Sequence, residues 1–368
     1  MQTVALRSRR IEAADHFEAV ELFFTRGWTD GFPIVPPTEE RVEAMLQTLD
    51  RDPGEVVGIM APRSGKATLE KIAINAVMAG CQPAFFPVVV AAIEAIADDD
   101  FNLNGVQCTT HVAAPLLIIN GPVRQALEIN AGANCFGQGF RANATIGRAV
   151  RLCMINIGGG LPGVTDKATF GHPGKYTYCV AENEEASPWE PLHVERGFRP
   201  EQSTVTVFAA EAPHNVNDHA SQGARGILTT VADTMATMGN NNMYKRGEMA
   251  VVIGPEHAAT IAAEGWSKQD VKTFLFQEAR RPVRELTRSG EYYGEVTWEK
   301  YWPRWIDRND PSALIPVVNS PEDILVFVAG GTVGRFSLII PGWGDHGTRA
   351  VTRVIPNLGS CSDGTCHA

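Results

Sequence analysis

Short apolar runs alternate along most of this chain with stretches whose apolar positions recur every three or four residues. That alternation predicts an α/β fold. Mostly apolar runs over 114–119, 203–210, 249–253, 324–329 and 336–340 read as buried strands. Helical periodicity covers 38–50, after the rigid Pro36-Pro37 pair, and 144–156. Thr68 is placed to cap a helix over 69–79, because its hydroxyl can accept an unpaired amide of the first turn. Gly80 follows that helix, where a left-handed residue closes the last turn. Pro87 suits the first turn of a helix running to residue 96. Ser267 and Asp270 have the spacing of a capping box and open a helix over 268–280.

The expected architecture is therefore a mixed sheet or sheets flanked by helices, in a single compact unit. A weak internal duplication accompanies it. Leu117-Ile-Ile-Asn-Gly-Pro122 and Val251-Val-Ile-Gly-Pro255 each close a strand with Gly-Pro and lead into a helical pattern. The body is expected to span 1–355, followed by a cysteine-containing tail over 356–368. The segment 292–305, with its Trp and Tyr residues, reads as a packing arm or a contact between copies of the chain.

Composition narrows the function classes. The chain has 368 residues, 44% hydrophobic and 20% charged, which is ordinary globular usage. A formal net charge of −10, with no basic stripe, argues against a nucleic-acid partner. No apolar run approaches the ~18 residues a spanning helix needs. The first ten residues are basic, but no apolar stretch follows, so a secretory leader is not expected. Seven cysteines scattered through apolar segments read as reduced thiols, which points to the cytoplasm.

Two motif strings fail on context. Gly158-Gly-Gly-Leu-Pro-Gly163 matches the dinucleotide fingerprint, which requires a strand before it and a helix after it. Here a helix precedes it and no helix can follow. Ser64-Gly65-Lys66 hints at a phosphate loop, but Met60 stands where the first glycine belongs and Ala67 where the hydroxyl belongs.

Three stretches hold more polar and special-geometry residues than loops require. In 129–148, Asn134, Arg141 and Asn143 stand among glycines before a helix start, where an anionic group of a substrate would be favoured. In 171–190, a strand-like run over 175–180 ends in Glu182, Asn183, Glu184 and Glu185. Crowded carboxylates can split their pKa values into an acid and a base, or bind a hard cation. In 213–226, His214, Asp218 and His219 follow a strong strand, where open α/β folds place ligands. Histidine is the natural proton carrier at neutral pH and a common metal ligand. Arg335, in a glycine-rich turn between two strands, is a further anion-binding candidate. The tail adds Cys361 and Cys366, with His346 the nearest body histidine in sequence, as a redox pair or a transition-metal ligand set.

Trp28-Thr-Asp-Gly-Phe-Pro-Ile-Val-Pro-Pro37, Phe140-Arg-Ala-Asn-Ala-Thr-Ile-Gly-Arg148, Glu182-Asn-Glu-Glu-Ala-Ser-Pro-Trp-Glu190 and Gly265-Trp-Ser-Lys268 together resemble a bacterial family. Its members accompany, or are fused to, small proteins with a UGSC motif. The resemblance covers most of the chain and implies thiol-type redox work. The chain has no UGSC module; Leu358-Gly-Ser-Cys361 matches only Gly-Ser-Cys.

The resulting expectation is an enzyme acting on a small polar or anionic substrate, with thiol-linked redox chemistry. His214, His219, Glu182 and Asp218 would carry the chemistry. Arg141, Asn143, Asn134 and Arg335 would hold the substrate. One alternative is a metal-dependent lyase or hydrolase, with Cys361, Cys366 and His346 as ligands. Another is a non-catalytic scaffold subunit for a small redox protein, docked on 292–305. A homo-oligomer is expected, with no membrane partner.

Overall fold

The computed structural model describes residues 6–288, 302–344 and 347–356. The chain opens with α1 (His16–Thr25), α2 (Glu39–Leu46) and the hairpin β1 (Val56–Met60) and β2 (Gly65–Thr68). Next come α3 (Leu69–Ala79), α4 (Phe86–Ile96), α5 (Leu103–Cys108), β3 (Ala114–Asn120), α6 (Val123–Ala126), α7 (Arg141–Asn156) and β4 (Cys179–Ala181). A short α8 (Leu192–Glu195) leads to β5 (Thr204–Ala210), β6 (His214–Asn217), α9 (Ala224–Met235) and α10 (Asn241–Lys245). The remainder is β7 (Met249–Ile253), α11 (Pro255–Ala263), α12 (Lys268–Glu278), β8 (Arg280–Pro282), α13 (Val283–Leu286), β9 (Leu314–Pro316), β10 (Ile324–Val328), β11 (Phe336–Pro341) and β12 (Val351–Val354).

Local signals set many of these limits. The Thr68 hydroxyl accepts the Lys71 amide at 3.3 Å, and Gly80 closes α3 at φ 90°. Ser267 and Asp270 form both bonds of the capping box that starts α12. Other limits moved. The helix expected over 38–50 stops at Leu46. The strand expected over 175–180 is confined to Cys179–Ala181, because Pro173–Lys175 takes a 3-10 turn first. The polar stretch at 214 is not a loop: it forms edge strand β6, with Val216 buried.

Two four-stranded sheets are formed among the described residues, in the orders β4-β3-β5-β12 and β10-β7-β11-β6. In both, the first pair is parallel and the next two pairs are antiparallel. The central strands β3 and β7 are the two that end in the Gly-Pro echo. The fourth strands are exchanged: β6 leaves β5 to join the second sheet, and β12 leaves β11 to join the first. The chains cross where Ala210 bridges Gly342, with Glu211 N–H donating to Pro341 and Trp343 N–H to Ala209, both at 2.8 Å.

Alternation along the strands sorts the cores. Leu117, Ile119, Val205 and Val207 face α3, α4 and α7. Val251, Ile253, Val326 and Val328 face α9, α11 and α12. The opposite faces, with Leu116, Ile118, Phe208, Val252 and Phe327, pack on each other. The result is four layers, helices–sheet–sheet–helices, with one face of each sheet buried on the other. No helix among the described residues is long and apolar enough to cross a membrane.

Candidate active site at one end of the first sheet

His111 lies just before β3, and Glu211 just after β5. Because these strands are antiparallel, the two residues meet at one end of the sheet. His111 Nε2 stands 2.8 Å from Glu211 Oε1, which also accepts the Asn241 amide at 3.1 Å. A carboxylate on Nε2 assigns the proton there and leaves Nδ1 as a lone-pair base. That Nδ1 is buried and has no partner. A base oriented by a carboxylate is the arrangement general-base catalysis uses.

Tyr178 connects this pair to a second histidine. Its hydroxyl donates to the Glu211 carbonyl at 3.0 Å, and its ring meets that of His172 edge-on at 5.6 Å. His172 Nδ1 accepts the Gly174 amide at 3.1 Å, so the proton resides on Nε2. That Nε2 faces the Ala210 carbonyl without completing a hydrogen bond. Burial, assisted by Lys175 and Arg151, pushes His172 down to about 4. At neutral pH it is therefore an uncharged donor awaiting an acceptor.

Arg151 completes the cluster. It sits on α7, only 8% exposed, yet no hydrogen-bond acceptor or carboxylate engages its guanidinium among the described residues. Burial lowers it to about 10, and the charges of Asp166 and Asp30 raise it only partly. Both carboxylates are committed elsewhere: Asp166 to Lys175 at 2.7 Å, and Asp30 to Arg148 at 2.8 Å. A buried cation without a counterion is costly, and such groups concentrate at functional sites.

A second polar cluster occupies the other end of the sheet, at the carboxyl ends of β3 and β4. Glu182 is fully buried; Oε2 accepts Asn120 Nδ2 at 2.6 Å and the Leu192 amide at 2.8 Å. Burial pushes its carboxyl up to about 6, against the pull of Lys268. Glu184 accepts from Asn120 and Gly121, and pairs with Arg124 at 2.8 Å. Glu185 takes the other side of the same guanidinium at 3.0 Å. Lys268 and Lys272 of α12, both 5% exposed, share Glu195 of α8.

The residues chosen from sequence divide unevenly. Glu182 lies in this second cluster. His214 is exposed on β6, and His219 is exposed with its ring 4.8 Å from Phe336. Neither lines the 940 Å³ cavity beside α1 and α3. Burial opposes ionisation of Asp218, but bonds from Ser221, Thr230 and Ala220 outweigh it and hold the carboxyl at about 2. It braces a turn and is too weak a base for proton transfer near neutrality. Arg335 donates to the carbonyls of Asp218 and Ser221. Arg141 donates to the Gly80 carbonyl at 3.1 and 3.2 Å. Asn143 staples Asn130 to Cys179, and Asn134 closes a turn on Gln138 at φ 59°. All four groups bond to backbone in this structure. Cys361, Cys366 and His346 lie outside the described residues, as does 292–301 of the aromatic segment.

His111, Glu211 and Arg151 escaped the sequence reading. Arg151 left one trace: a lone charge inside the apolar run Ala149-Val-Arg-Leu-Cys-Met154. His111 and Glu211 are a hundred residues apart, and only strand pairing joins them. A cavity of 940 Å³ lies elsewhere, between the N-terminal arm, α1 and α3. Its walls mix hydrocarbon with charges such as Arg10 and Glu39, which pair with each other. Chemistry is better supplied by the His111 cluster than by that larger space. No known family model matches the chain, and no curated protein matches it.

Proposed function

We propose that this chain is an enzyme that performs acid–base chemistry on a small anionic substrate at the His111–Glu211 cluster. The observation that carries the reading is Arg151, a guanidinium only 8% exposed, with no hydrogen-bond partner among the described residues and near enough to His172 to oppose its protonation. A carboxylate or phosphate would supply its missing partner through charge-assisted hydrogen bonds. His111 Nδ1 would take a proton from the bound molecule, with Glu211 stabilising the imidazolium that forms. His172 Nε2–H would donate to oxygen as negative charge develops there. Both imidazole atoms are shielded from bulk water.

Thiol chemistry draws little support from the described cysteines: Cys108 is exposed, but partial burial and Asp166 push its thiol up as well. Cys81, Cys135, Cys153 and Cys179 are buried, and burial pushes their thiols upward, to about 12 for Cys81 and about 11 for Cys135. A thiol held protonated is a poor nucleophile. The redox and metal readings rest on Cys361 and Cys366.

The test is a melting titration with phosphate, sulfate and small dicarboxylates at constant ionic strength. A ligand at a hundredfold excess over its dissociation constant stabilises by about 2.7 kcal/mol. At least one anion should raise the melting temperature of the wild type and have no effect on Arg151→Met. Equal responses in the two proteins would refute the site.

A further inference from the structure

We propose that the Glu182 cluster is a binding site for one small monovalent cation: sodium, potassium or ammonium. Three fully buried side chains, Glu182, Thr204 and His193, gather around the equally buried Asn120, making a cluster of four. Glu182 is bonded to it at 2.6 Å. Thr204 is its register partner across β3 and β5, so the two side chains share one face of the sheet. His193 Nδ1 stands 3.9 Å from the Glu184 oxygen that Asn120 itself bonds at 2.9 Å.

Each of the four has one atom with no partner: Asn120 Oδ1, Glu182 Oε1, His193 Nδ1 and Thr204 Oγ. Native proteins leave few buried polar atoms unsatisfied, so four around one residue call for an occupant. Their chemistry selects its type. Asn120 Oδ1 can only accept. His193 Nε2 faces the Pro200 carbonyl at 3.4 Å, which puts the proton on that nitrogen and makes Nδ1 an acceptor. The Glu182 carboxylate accepts, and the Thr204 hydroxyl can turn to do so. Acceptors without donors suit a guest that has only positive charge or N–H groups to offer.

The charges agree. Glu182, Glu184, Glu185 and Glu195 stand against Arg124, Lys268 and Lys272, four negative against three positive. A cation reduces this negative excess, to which Glu322, beside Lys272, adds. A transition-metal site is not indicated, since no group of three His, Cys, Asp or Glu side chains converges among the described residues.

The experiment is thermal unfolding in sodium, potassium, ammonium and choline chlorides at one ionic strength, at pH 7.5. Choline is too large for a sealed site and serves as the reference. The wild type should melt higher in at least one small-cation salt, by an amount that grows with the logarithm of its concentration. Glu182→Gln places an amide N–H beside the same acceptors, so this variant should melt alike in all four salts. Thr204→Val removes one oxygen and should weaken the apparent cation affinity about tenfold. A wild type indifferent to the four salts overturns the proposal. So does a cation response that survives undiminished in both variants.

Discussion

Helices α7 and α12 occupy corresponding places, each between the two parallel strands of its own sheet, and each buries cations. On α12, Lys268 and Lys272 share the Glu195 carboxylate, Lys268 at 3.1 Å. On α7, Arg151 is equally buried and unpaired. The other end of each sheet repeats the contrast. Beside β7, His257 is fully buried with both nitrogens bonded, to Ser337 at 2.8 Å and to the Asp218 carbonyl at 3.0 Å. Beside β3, the Glu182 cluster leaves four atoms without partners. One architecture thus appears twice, closed in the second half and open in the first. A buried polar group that is paired serves the fold, whereas one left open costs stability and needs another purpose.

Removing the shared carboxylate is the severest way to challenge this contrast. Glu195→Gln leaves two buried lysines without a counterion, and losing one partner of a buried pair costs about 3–5 kcal/mol. Urea unfolding should show that loss. A change below about 1 kcal/mol, the range of surface pairs, would mean that the α12 lysines are no better anchored than Arg151.

The acid range separates the halves by sign. Glu182 has its carboxyl raised to about 6 by burial, so the fold favours its protonated form. Its contribution is complete below the unfolded value of 4.5 and is lost as pH rises through 6. In choline chloride, where no small cation compensates, the stability of the wild type relative to Glu182→Gln should fall by about 2 kcal/mol between those limits, on top of the rise with pH that the lowered His172 imposes on both proteins. Glu182→Gln should abolish the step. Asp218 runs the other way: its carboxyl is lowered to about 2, so its contribution is present above the unfolded 3.8 and lost as pH falls through 2. Asp218→Asn should flatten only that lower range. If the wild type gains stability relative to Glu182→Gln as pH rises from 4.5 to 6, the assignment to Glu182 fails.

Ser337→Ala probes the closed end of the second sheet. It strips His257 Nδ1 and the Gly254 amide of a partner, and should cost about 1–2 kcal/mol by calorimetry. The smallest effect is expected at Arg151. Arg151→Met removes an unpaired buried charge and keeps most of the volume, so stability in anion-free buffer should hold or rise by about 1 kcal/mol. A loss like that of Glu195→Gln would show a structural cation and end the contrast.

The fold was more legible than the site. Pro87, Gly80, Thr68 and the Ser267–Asp270 box announce helix ends, because unpaired amides and carbonyls need local partners. The apolar runs marked β3, β5, β7, β10 and β11. The hairpin β1–β2, edge strand β12 and helix α1 were missed. Helix α1 has no fully buried residue and rests on the core only through partly buried Val20 and Phe23, a short apolar signal. In the site, Glu182 was chosen for its crowded carboxylates and is indeed buried beside Arg124 and Lys268. His214 and His219 were chosen for being histidines after a strand, and Asp218 for its place between them. Exposure and turn-bracing bonds account for all three.

What the sequence determined by itself is therefore short in range: where helices begin and end, which runs are strands, and that two Gly-Pro strand ends echo each other. Tertiary structure decided the rest. It exchanged β6 and β12 between the sheets, a choice made by pairing edges that no local residue encodes. That pairing brings His111 to Glu211 across a hundred positions, and four-layer packing decides which charges find a partner. Arg151 has the same side chain as any surface arginine. Burial without a counterion, a property of the packed chain alone, turns it into a site.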